Sequence, residues 1–390
     1  MKRLFIHLGM HKTGSTAIQH FLTNNQGSLE ENGIHYLQSA RGMRDGVSHA
    51  KLGYSFAKIV NDKNNPQLTP TNGRSITSQH VAIITRNLED IYNEIAESSY
   101  TNYIISHEGL FPLFIDDLTV QKDDLSLSYM NWLRKLAEIC EINYIVYLRR
   151  QDLWVESLYA QYQKGGAPLR LLPFEDFVIK IKNSGVLDYA QVVTNLRKLP
   201  GTHHIFVRPF ESQQLRKKDV VTDFMAILGL LDLSGFVRGE SDNSQNFPRP
   251  YTILLHQAAL AGVDREFREA VELISHRNRT KVDLPKYFLS GQERAELVRE
   301  YQVPNRTVAQ RYLSEDELFF DTPNSSEDPY WTPPSTPEPE FWFGVVYEAL
   351  AHAQRAESNA LKASIAALAD SVAQQNALLN ALLGRSSSEP

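Results

Sequence analysis

The sequence has almost no cysteine, and that absence excludes a good deal. Its one cysteine, Cys140, cannot form an intrachain disulfide, and no cysteine-rich metal site is possible. Such usage fits a reducing compartment, so a cytoplasmic location is expected. Long apolar runs are missing too. No stretch of about eighteen apolar residues occurs, so no membrane span is expected. A basic excess is also missing: the formal net charge is -6, and nucleic acid is not an expected partner. Any anionic ligand must then be drawn by local positive charge. The opening MKRLFIHLGMHKTG carries Lys2 and Arg3. Its apolar stretch is short, is broken by His7 and lacks a small-residue cleavage site, so it reads as a buried first strand rather than a signal peptide.

What is present is the pattern of an α/β protein. An apolar content of 42% over 390 residues leaves room for a sizeable core and for two or three domains. Residues 3–8, 102–106, 143–148 and 204–208 read as short apolar strands. Helical periodicity lies between them, at 15–25, 80–98, 125–140 and 153–164. Continuous apolar strands separated by helices predict a parallel sheet covered on both faces, in a three-layer fold. The α/β domain is expected over 1–320, with 219–313 mostly helical. A proline-, serine- and acid-rich linker occupies 321–340. Residues 341–384 then read as an amphipathic or coiled-coil helix, and 385–390 as a disordered tail. Leu361, Ile365, Leu368, Val372, Gln375, Leu379 and Leu382 step by four and three in turn. This seam fits either a homo-oligomer formed through 361–382 or one helix docked on the globular part.

The strongest chemical signal is Gly9-Met10-His11-Lys12-Thr13-Gly14-Ser15-Thr16, between the first strand and the first helix. Two glycines let the backbone curl so that successive N–H groups converge, and the helix start adds unpaired N–H groups and a positive dipole end. Ser15 and Thr16 add hydroxyls, and Lys12 a full charge. A Walker A loop has its lysine directly after the second glycine. Here Ser15 holds that place and the lysine lies inside the loop. A second basic point is YLRRQDLWVESLY, where Arg149 and Arg150 close a strand, Asp152 is placed to cap the next helix and Ser157 lies within it. Read alone, these could be solvated charges and an ordinary serine.

Together the two segments resemble the PAPS-dependent sulfotransferases (PAPS is 3′-phosphoadenosine-5′-phosphosulfate). Lys12-Thr13-Gly14-Ser15-Thr16 matches the family's 5′-phosphosulfate loop, and Arg149 with Ser157 matches the spacing of its 3′-phosphate motif. HKTGSTAIQHFL, SHEGLF, YLRRQDLWVESLYAQ and the VRPFE stretch at 207–211 resemble a bacterial branch, over about residues 2–230. The resemblance implies a P-loop sulfotransferase fold with PAPS as sulfuryl donor, PAP as product and an acceptor hydroxyl as second substrate. It implies that Lys12 stabilises the leaving oxygen, that no metal is required, and that Phe210 contacts the adenosine. A carbohydrate or glycolipid acceptor is implied by the family alone. The family's base is a histidine or a glutamate, and laid residue on residue Ser106-His107-Glu108 puts Glu108 in that place. If the strand continues that far, His107 points to the opposite face. His35, Tyr36 and His49 are further acceptor-side candidates. Arg277, Arg279 and Lys281 could close over the 3′-phosphate, or form a solvated basic face. Two other readings remain open at this point: a P-loop kinase or NTPase, and a non-catalytic coiled-coil assembly protein.

Overall fold

A computed structural model describes residues 1–42, 46–52, 78–114, 124–164, 171–239, 249–260 and 287–323, with isolated positions in 262–274 and 344–362. The heptad positions at 361–382, Arg277, Arg279, Lys281 and most of the 321–340 linker lie outside the described residues. By contact, Met1–Asn246 and Pro285–Pro333 form one compact unit, and Phe247–Leu284 with Pro334–Pro390 a second. The described part of the second is mainly a helix, Arg249–Leu260. The sheet and both motifs belong to the first unit.

The chain runs β1 (Lys2–His7), α1 (Ser15–Asn24), α2 (Gln26–Glu31), β2 (Ile34–Tyr36), α3 (Ser78–Glu97) and β3 (Asn102–Ser106). A 3-10 segment, Glu108–Phe114, leads to α4 (Asp124–Ile139), β4 (Cys140–Leu148), α5 (Gln151–Lys164), α6 (Phe174–Asn183) and α7 (Tyr189–Arg197). Then come β5 (Thr202–Pro209), α8 (Val220–Ile227) and, after the second unit's helix (α9), α10 (Gly291–Glu300) and α11 (Gln302–Tyr312). The five strands form a parallel sheet in the order β2-β3-β1-β4-β5.

Strand alternation sorts the core into two halves. Leu4 and Ile6 of β1 join Ile105 and Tyr144 on one face, under Ile84, Leu88 and Ile91 of α3 and Leu133 and Leu136 of α4. Phe5 joins Ile104 and Ile145 on the other, under Ile18, Phe21 and Leu22 of α1 and Phe224 and Met225 of α8. With helices on both faces, the fold is a three-layer α/β sandwich. β3 is buried along its whole length, as a central parallel strand must be.

One local expectation is corrected. Asp152 does not cap α5. Gln151 opens the helix, and Asp152 is fully buried in its first turn. Its carboxylate accepts from Arg150 Nε at 2.7 Å and from Arg294 Nε of α10 at 2.9 Å. The charge favours the helix start, but its larger task is to neutralise two buried guanidinium groups that join α5 to α10. Asp152→Ala is therefore expected to lower unfolding free energy by about 3–5 kcal/mol. Chemical denaturation would measure this, and a loss below about 1 kcal/mol would show that the triad is dispensable.

Candidate active site

The site grows from strand register. His7 of β1 lies opposite Ser106 of β3 and opposite Ile145 of β4. The chain leaving β1 through Leu8 and Gly9 therefore runs beside His107 and Glu108. The His107 N–H donates to His7 O at 3.1 Å and the Leu8 N–H to Ile145 O at 3.1 Å, extending the register past the strand ends. From β1 the chain builds β2 and β3 on one side and β4 and β5 on the other. The carboxyl edge at such a reversal is where open α/β sheets gather ligands.

Gly9 and Gly14 shape the loop. Gly9 has φ 47°, and a Cβ there would lie 2.5 Å from Ser15 Oγ and 3.3 Å from Glu108 Cγ. Gly14 has φ 79° and is the N-cap of α1, with no side chain bonding the helix start. A Cβ on it would meet Val220 at 2.9 Å. Lys12 also has positive φ, 66°, which a residue with a side chain keeps only when its surroundings hold it. Three contacts do so. Trp154 Nε1 donates to His11 O at 2.9 Å, Arg149 Nη1 to Lys12 O at 2.9 Å, and Thr13 Oγ1 to Met10 O at 2.5 Å. A trans peptide sets its carbonyl and N–H on opposite sides. Tying down the carbonyls of His11 and Lys12 thus aims the N–H groups of Lys12 and Thr13 the other way.

The loop hydroxyls divide. Thr13, expected to face a ligand, is fully buried and turned inward to close the loop. Ser15 Oγ is buried with no hydrogen-bond partner, and Thr16 is exposed at the helix start. A buried hydroxyl without a partner carries a cost of about 1–3 kcal/mol. Lys12 Nζ lies 3.5 Å from Gln161 Oε1 of α5, at the limit of a hydrogen bond.

Arg149 draws the two halves of the site together. The same Nη1 that bonds the Lys12 carbonyl lies 3.4 Å from Ser157 Oγ, and the guanidinium sits 6.0 Å from the Phe210 ring centre. Phe210 also packs against the core face under α1 and α8. Tyr189 OH donates to Arg149 O at 2.5 Å and fixes the strand end. Burial pushes the Arg149 pKa down, yet a guanidinium stays charged in any physiological range. The neighbouring Arg150 is spent on Asp152 and on the Asp321 carbonyl. Glu211 accepts from the backbone N–H groups of Phe320 and Asp321 and is structural.

Glu108 stands across the loop. β3 ends at Ser106 and the 3-10 segment starts at Glu108, so strand alternation does not reach His107. Its Nδ1 lies 3.7 Å from Glu108 Oε2, beside the carboxylate instead of on the opposite face. Gln19 of α1 donates from Nε2 to Glu108 Oε2 at 3.3 Å and to Ser106 Oγ at 3.2 Å. Burial raises the Glu108 pKa. The facing His11, its own backbone N–H, His107 and Gln19 outweigh burial and hold it below the usual carboxylate range. The residue is therefore ionised at neutral pH. Burial pushes the His11 pKa down, against the pull of Glu108 and with the push of Lys12.

His7, His49 and His35 make structural contacts. His7 Nδ1 is 2.8 Å from Ser106 Oγ, and burial takes its pKa to about 4 against the attraction of Glu108. His49 Nδ1 accepts from the Ser106 N–H at 3.2 Å, so its Nε2 carries the proton donated to Leu37 O at 3.1 Å. Burial puts its pKa at about 3. His35 is held between Glu30 and Glu94 and stacks on Tyr100. Tyr36 OH donates to the Val47 carbonyl. Gln19 and Trp154 carry clear roles that loop motifs alone do not mark. Gln19 is signalled only by its place four residues after Ser15, on the same helix face.

The chain is similar to an uncharacterized protein of Archaeoglobus fulgidus, 24% identical over 209 residues. The overlap covers 50% of this chain and 55% of the archaeal one, so the chain spans about half the length of that relative. No family model and no solved structure matches. Among the described residues, no helix is long and apolar enough to cross a membrane. No group of three or more His, Cys, Asp or Glu is placed among them to hold a metal ion.

Proposed function

We propose that this chain is a sulfotransferase that moves the sulfuryl group of PAPS to an acceptor hydroxyl. The observation that carries the reading is Arg149. One guanidinium touches both the carbonyl of Lys12 in the first motif and the hydroxyl of Ser157 in the second. Two motifs 137 residues apart in sequence are thus neighbours, which supports one ligand in reach of both.

In this reading the 5′-phosphosulfate lies against the N–H groups of the loop and the start of α1, with Ser15 and Thr16 as hydroxyl donors. The 3′-phosphate lies on Arg149 and Ser157, and Phe210 stands beside the adenosine. The acceptor oxygen forms a bond to sulfur as the bond from sulfur to the 5′-phosphate oxygen breaks. The electron pair goes to that oxygen, where Lys12 neutralises the developing charge. The acceptor proton goes to Glu108, with His107 beside it. The lysine inside the loop takes the part that a metal has in Walker A enzymes, so the step needs no divalent cation. A carbohydrate or glycolipid hydroxyl is the acceptor class that the family resemblance favours. Nucleotide preference tests the reading. PAP is expected to bind with a chelator present and more tightly than ATP with Mg²⁺; the reverse order would place the chain among the NTPases.

A further inference from the structure

We propose that Gln19 is a positioning residue that holds Glu108 in place and couples it to the donor loop. This rests on the sulfuryl-transfer reading, with Glu108 as base. Gln19 is 5% exposed and lies four residues after Ser15 on α1. Its Nε2 uses both hydrogens, one toward Glu108 Oε2 and one toward Ser106 Oγ, at 3.3 and 3.2 Å. Ser106 Oγ accepts from Gln19, so its own hydrogen is available to His7 Nδ1 at 2.8 Å. The amide orientation is thereby fixed from two sides. A carboxylate only accepts, so a nitrogen facing Glu108 matches its ionised form.

The consequence is geometric. Glu108 opens a 3-10 segment and has three side-chain torsions to restrain. Left alone, it would sample positions that do not face the acceptor. Gln19 ties it to α1, the helix whose start carries Ser15 and Thr16. One rigid element then fixes the donor end and the base together. The other titratable groups facing Glu108 are His7 on β1, His11 on the loop and His107 on its own segment, with Lys12 facing His11. None of them spans from the loop helix to the β3 end as Gln19 does.

The test uses the full chain with ¹³C-labelled glutamate, the Glu108 carboxyl signal being assigned by its loss in Glu108→Gln. Gln19→Met keeps length and removes the donors, while Gln19→Glu keeps shape and adds a like charge. The Glu108 titration midpoint is expected to move up in Gln19→Met and further up in Gln19→Glu, with thermal unfolding showing both variants folded. A residue that only fills space would leave the midpoint unchanged in folded Gln19→Met, and that result would overturn the proposal. PAP titrated into the same samples reports separately on the nucleotide reading. PAP binding in Gln19→Met is expected within about twofold of the unsubstituted protein, because Gln19 touches the base and not the phosphates. If PAP fails to bind the unsubstituted protein, the sulfuryl-transfer reading falls, and with it the catalytic meaning of the Gln19 contact.

Discussion

Arg149→Ala is expected to weaken PAP binding roughly 30- to 150-fold while changing 5′-AMP affinity less than about threefold. The figure corresponds to losing the one charge-assisted contact proposed to the 3′-phosphate, worth about 2–3 kcal/mol. The two nucleotides share the 5′-phosphate and differ in the 3′-phosphate, so their ratio isolates the second half-site. Arg149 also holds the Lys12 carbonyl, and part of any loss will come from a looser loop. That part falls on both ligands alike and cancels in the ratio. Arg149→Lys keeps the charge without the planar fork and should lie between the two. Isothermal calorimetry measures all three proteins. Equal losses for PAP and 5′-AMP would mean that Arg149 serves the loop alone, and the 3′-phosphate would need another partner.

The second large effect concerns Glu108, the proposed base. Glu108→Gln is expected to cut turnover about 10²- to 10⁴-fold, the usual range for a lost general base. PAP affinity should hold or tighten slightly, because a negative charge leaves the neighbourhood of an anion. The pH profile adds a sign. In the proposed mechanism the active form is the carboxylate, present above the folded-state pKa, and that value is held below the usual range. Activity should therefore stay level as pH falls to the ordinary carboxylate range and decline only below it. The acid limb should vanish from the residual activity of Glu108→Gln. Release of PAP from PAPS, measured with and without acceptor, reads both quantities. Full turnover in the variant would pass the role to His107 or His11.

Much of the fold is legible in the sequence because the strands of a covered parallel sheet are plain apolar runs. β3 matches its expected bounds at 102–106, and β1, β4 and β5 differ from theirs by only one to three residues at an end. β2 is not legible, because three residues, Ile34–Tyr36, show no period. α6 and α7 are hidden for a different reason. Their apolar sets are regular (Phe174, Phe177 and Ile181, then Tyr189, Val192 and Leu196), but each helix is only about three turns long. In the candidate site, motif spacing marks the loop, Arg149 and Ser157, and the family resemblance alone marks Glu108. Spacing does not assign hydrogens. Thr13 and Ser15 read alike as hydroxyl donors, yet one closes the loop and the other stands without a partner. Arg149 and Arg150 read alike as a basic pair, yet a buried Asp152 claims the second. Asp152 itself reads as a cap because the Arg294 that faces it lies 142 residues away. Such assignments depend on contacts between distant segments, and no local pattern encodes them.

The proposed function requires one site to read two phosphates of a nucleotide without a metal. The most direct measurement titrates the unsubstituted protein with PAP, 5′-AMP and ATP in chelator, and with ATP again in Mg²⁺. PAP is expected to bind about 30- to 150-fold more tightly than 5′-AMP, the contribution of the second phosphate, and more tightly than ATP under either condition. Equal affinity for PAP and 5′-AMP, or a preference for ATP that appears only with Mg²⁺, would contradict it.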